Sequence, residues 1–105
     1  MIFELRTYII PEGKMPNILN RFETITFDIF KRHNIEVTGF WEKSDVNEIV
    51  YICKFDSVEA MKSAWDAFRA DPDWVSAKAK TEKNGPIVSK VISEVMTATS
   101  FSPIQ

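Results

Sequence analysis

Apolar and polar residues alternate from Ile2 to Ile10 in the run I-F-E-L-R-T-Y-I-I. This pattern predicts a strand with two unlike faces. Phe3, Leu5, Thr7 and Ile9 fall on one face; Ile2, Glu4, Arg6, Tyr8 and Ile10 fall on the other. A strand this apolar is expected at the centre of its sheet. Glu4 and Arg6 in its middle must therefore be paired, hydrated in a cavity or turned toward a second chain, because unpaired buried charge is costly.

Pro11-Glu12-Gly13-Lys14 predicts a turn, and Pro16 suits the first turn of a helix. The spacing of Ile18, Leu19, Phe22, Ile25, Ile29 and Phe30 then becomes helical and gives a stripe wide enough to cover a sheet. Lys31, Arg32 and His33 close that helix, with Asn34 as a left-handed terminator. Ile35–Lys43 and Ile49–Phe55 read as a β-hairpin around a polar loop. A second helix is expected with Asp56 as N-cap, Glu59 completing a capping box, and Val58, Met61, Trp65 and Phe68 as its buried stripe. Asp71-Pro72 breaks it and starts a short helix to about Thr81 that carries Trp74 and Val75 inward. Asn84-Gly85-Pro86 stops that helix, and Val88–Thr99 reads as the last strand.

Strand, helix, hairpin, helix, strand is the ferredoxin-like βαββαβ order, an α+β fold with both helices on one face of a four-stranded antiparallel sheet. Yet both faces of these strands carry bulk. Tyr51, Cys53 and Phe55 alternate with Val50 and Ile52, and Ile92 and Met96 with Val91 and Val95. Two helices cannot cover both faces, so a second copy of the chain is the expected cover.

The 105 residues are expected to form one domain over residues 1–105. A net charge of -2 without a concentrated basic face argues against nucleic acid as partner. The groups Lys31-Arg32-His33 and Lys78-Lys80-Lys83 fall at helix ends and read as dipole complements. The one cysteine, Cys53, excludes an internal disulfide and a cysteine-based zinc cluster, and reads as a buried hydrophobe. No apolar run approaches the ~20 residues of a membrane span, and Glu4 and Arg6 interrupt any signal-like segment. A cytoplasmic location without membrane contact is the expectation.

E-L-R-T-Y at 4–8, P-E-G-K at 11–14, G-F-W at 39–41 and D-P-D-W at 71–74 together resemble the NIPSNAP family, in order over almost the whole chain. The resemblance implies a dimeric α+β barrel, two ferredoxin-like sheets face to face with helices outside. It carries no agreed activity or catalytic set.

Six residues are candidates for ligand contact: Glu4, Arg6, Tyr8, His33, Trp41 and Tyr51. Arg6 could anchor an acidic or carbonyl ligand with Glu4 as base or orienter. The reading favoured from sequence is instead an ion pair at a dimer interface, with Glu94 as a cross-strand partner. His33 reads as a dipole partner; as general base or haem ligand it would match haem-degrading and quinol-oxidising enzymes among related barrels. Trp41 and Tyr51, with Trp65 and Trp74, suggest an aromatic pocket between helices and sheet, although aromatics so spaced are more often core. A lone histidine and a strand cysteine give no metal site, and no cofactor is expected. Two functions follow. One is a homodimeric module binding a small apolar or acidic molecule; the alternative is a cofactor-free monooxygenase or isomerase acting on an aromatic or polyketide-like compound.

Overall fold

The computed structural model describes residues 1–105 and contains four strands: β1 (Ile2–Ile9), β2 (Glu36–Glu42), β3 (Glu48–Phe55) and β4 (Lys90–Met96). They form one antiparallel sheet in the order β2-β3-β1-β4. The apolar first strand is central, as its pattern predicts. Between β1 and β2 lie α1 (Met15–Arg21), a π-helical turn (Phe22–Thr26) and α2 (Phe27–Arg32); between β3 and β4 lie α3 (Val58–Ala70) and α4 (Pro72–Thr81). The arrangement is ferredoxin-like, and no helix is long and apolar enough to cross a membrane.

The expected continuous first helix is interrupted. At the π turn the Phe27 N–H bonds the Phe22 carbonyl, five residues back, which adds a residue to that turn. Ile18, Phe22, Ile29 and Phe30 are buried, whereas Leu19 ends on the outside. Asn34 closes α2 in the left-handed conformation, at φ 59°.

Ser57, not Asp56, caps α3: its hydroxyl accepts from the Ala60 N–H at 3.0 Å, so the helix starts one residue later. Asp71 caps α4 through the Asp73 N–H at 2.9 Å, with Pro72 following as predicted. Trp74 packs inward on Phe68, but Val75 is exposed, because α4 meets the rest of the chain along one narrow edge.

The core lies between helices and sheet. Phe30 is fully buried, with Trp65 edge-on at 5.4 Å and Phe68 at 5.1 Å. Full burial of such a side chain contributes about 1.5–3 kcal/mol. From the sheet, Phe40, Tyr51, Cys53 and Phe55 project into this layer.

The other face carries no helix. Leu5 and Ile9 of β1, Val50 and Ile52 of β3, and Ile92 of β4 lie there half-buried. Trp41, 52% exposed, lies flat over Gly39; a Cβ at that glycine would sit 2.8 Å from the indole ring. At one end of this face the C-terminal residues Ser102 and Ile104 share a depression with Phe3, Ile52 and Met96.

Candidate functional site

Glu4, Arg6 and Tyr8 alternate along β1 on the face under the helices, where Trp65 and Phe22 meet them. They do not lie on the open face of the sheet. Glu4 is 2% exposed and accepts three side-chain bonds: from Trp65 Nε1 at 2.7 Å, from Arg6 Nη1 at 3.1 Å and from the Ser93 hydroxyl. Glu94, the expected partner, pairs in register with Leu5 and belongs to the opposite face; Ser93, opposite Arg6, takes its place.

Arg6 is fixed on three sides. Its Nε donates to the Tyr51 hydroxyl at 2.8 Å, its Nη1 to Glu4, and its guanidinium lies 4.1 Å from the centre of the Trp65 ring. Burial opposes the charge on Arg6, but Tyr51, Tyr8 and Glu4 outweigh it and hold the group above the ordinary arginine range. The Tyr51 and Tyr8 hydroxyls are 2.8 Å apart. Burial first, then Tyr8, holds the Tyr51 hydroxyl well above the usual phenol range. The Cys53 thiol is pushed up to about 12 by burial and by the Glu4 charge, which makes it a packing group rather than a nucleophile.

Arg6 and Tyr8 open into a groove of ≈ 500 Å³ between the β4 edge of the sheet and helices α3 and α4. Trp65, Phe68 and Trp74 form its aromatic wall, with ring centres 5.7 Å and 4.7 Å apart along the run. The other charged lining residues are Arg21, Arg69, Lys78 and Lys90 against one acid, Glu82. The groove thus gathers positive charge in a chain of net charge -2.

Of the sequence candidates, Glu4, Arg6, Tyr8 and Tyr51 form one hydrogen-bonded cluster. Trp41 does not join it: Trp41 stands opposite Val50 and Tyr51 opposite Phe40, so the two aromatics lie on opposite faces. His33 is also elsewhere. Its Nε2 lies 2.7 Å from Asp71 Oδ2, tying the end of α2 to the α3–α4 junction beside a different cavity. Arg32 bonds the same carboxylate at 2.9 Å. With the His33 bond as the largest cause, the Asp71 carboxyl is lowered to about 2. No group of three or more His, Cys, Asp or Glu side chains is placed to hold a metal.

Arg21, Ser93 and Lys78 were not legible as site residues. By sequence Lys78 falls among the cations of a helix end. The available signal for Arg21 was a cation set within the stripe Ile18–Phe22–Ile25.

Comparison with known proteins agrees with this architecture. A structure of a NIPSNAP family protein of unknown function from Agrobacterium tumefaciens is 28% identical, covers 100% of this chain and 94% of its own, and superposes with a TM-score of 0.88. An uncharacterised NIPSNAP-like domain protein from Burkholderia xenovorans is 19% identical over 97% of this chain and 88% of its own, with a TM-score of 0.85. An antibiotic biosynthesis monooxygenase shares the fold at 10% identity and a TM-score of 0.64, over 94% of this chain and 99% of its own. No curated protein matches. The NIPSNAP family model matches residues 3–103, and the chain belongs to the NIPSNAP family.

Proposed function

We propose that the chain is a small-molecule-binding module, working as a homodimer, that takes a small planar acid in the groove beside Arg6. The observation that carries this is the state of Arg6. Its guanidinium is oriented by Tyr51 and Glu4 and stacked on Trp65, and Arg6 and Tyr8 both line the groove. A preoriented, permanently charged donor beside aromatic rings suits a carboxylate on a flat apolar body. Glu4 and Tyr51 act as positioning residues, and Arg6 and Tyr8 as ligand contacts. His33 and Trp41 stand outside this site.

The homodimer is supported by the open sheet face. Leu5, Ile9, Val50, Ile52 and Ile92 form a half-buried apolar surface that a helix-less face would leave to water in a monomer.

The alternative, a cofactor-free monooxygenase or isomerase, is supported by likeness of fold alone. Glu4 would be its natural base, but this carboxylate already accepts from Trp65, Arg6 and Ser93 and is taken up in holding the site together.

The test is a thermal-shift screen of small aromatic acids, benzoate among them, on the wild type and on Arg6→Met. The wild type should be stabilised in proportion to ligand saturation, and Arg6→Met should keep its fold and lose the response. Equal stabilisation of both proteins would remove Arg6 from the site.

A further inference from the structure

The groove holds a second guanidinium, and this one is buried. Arg21, 4% exposed, uses Nη1 for both its bonds, to Glu82 at 2.8 Å and Thr81 at 3.2 Å. Its Nε is buried without a partner, and Nη2 makes no bond within the chain. Nε is closed off, so an acceptor in the groove can complete only Nη2, which is not sealed.

The position of Arg21 suggests that acceptor. Its guanidinium lies 4.9 Å from the centre of the Trp74 ring, as that of Arg6 lies over Trp65. Phe68 links the two indoles. One aromatic run therefore carries a guanidinium at each end, and both line the same groove. A ligand with a single anionic group would satisfy one end only.

We infer that the groove takes a planar molecule with two anionic groups, one received by Arg6 and Tyr8 and the other by Arg21, its body lying along Trp65, Phe68 and Trp74. This rests on the groove being the binding site, as proposed above, and adds the ligand's chemical class. Glu82 has a defined part in it: its carboxylate holds Arg21 in place and competes with the second anionic group.

Benzoate and isophthalate are the probes, titrated calorimetrically at fixed ionic strength into the wild-type protein. Isophthalate should bind at least roughly tenfold more tightly than benzoate, as expected for one further charge-assisted hydrogen-bonded pair. Arg21→Met should reduce that ratio toward one. Because a substitution at a buried arginine can disturb folding, the second variant is Glu82→Gln at a part-exposed position, which should raise the ratio severalfold. A wild-type ratio near one, or a ratio unmoved in a folded Arg21→Met or in Glu82→Gln, would overturn the two-anion assignment while leaving the Arg6 site standing. Failure of both acids to bind the wild type would overturn the site itself, and the assignment with it.

Discussion

The Trp65 indole N–H donates a 2.7 Å hydrogen bond to Glu4 Oε1 and so fastens α3 to the middle of the central strand. The same ring lies against the Arg6 guanidinium at 4.1 Å. One side chain thus contacts both members of the Glu4–Arg6 ion pair and holds the cation beside the groove.

Trp65→Phe removes the donor together with one ring of a buried indole, so the loss of packing adds to the loss of the hydrogen bond. Glu4 retains Arg6 and Ser93 but loses one of three bonds. The lost bond should account for about 1–3 kcal/mol of the cost, the usual penalty for an undersatisfied buried group, read from the urea midpoint at unchanged m-value. A midpoint equal to that of the wild type would show the Trp65 bond to be energetically idle.

Alternation along β1 was enough to group Glu4, Arg6 and Tyr8, because side chains two apart share a face in any strand. It could not say which face meets the helices. Both faces carry apolar bulk, and only the choice made by Trp65 and Phe22 decides it. Trp41 and Tyr51 are aromatic residues of one hairpin, which suggests one pocket; their pairing partners, Val50 and Phe40, put them on opposite faces. The π turn has no composition of its own, since it differs from an α-helix by one residue in bond spacing, and so the sequence shows one continuous helix there. By contrast, Asp71-Pro72 announced α4 correctly, because a cap followed by proline is a local device that tertiary packing does not alter.

Asp71 gives a pH dependence of definite sign. Its folded value of about 2 lies below its ordinary 3.8, so its contribution to stability is fully present above pH 4 and is lost as pH falls toward 2. Asparagine keeps the cap on α4 but cannot pair with Arg32 and His33 as a charge. The urea midpoint of wild type should exceed that of Asp71→Asn at pH 5, and the two should converge near pH 2. A constant difference across that range would contradict the assignment.

The open sheet face gives a prediction on assembly. Sedimentation at micromolar concentration should return twice the mass of the 12.1 kDa chain. Leu5→Glu, in the middle of that face, should shift the species to monomer by burying an unpaired charge at the contact. A monomeric wild type would exclude the dimer, and a dimeric Leu5→Glu would move the contact to another surface.

The three tryptophans allow the central claim, that small acids bind beside Arg6, to be read atom by atom. Trp65 and Trp74 line the groove, and Trp41 lies on the other face of the sheet. The measurement is the indole N–H region of a nitrogen–proton correlation spectrum during titration with benzoate. The Trp65 resonance should move along a saturable curve, because its ring stacks on the guanidinium that receives the acid, while Trp41 stays in place; in Arg6→Met the Trp65 shift should disappear. Movement of Trp41 alone, or of no indole at concentrations that shift the melting temperature, would contradict the account.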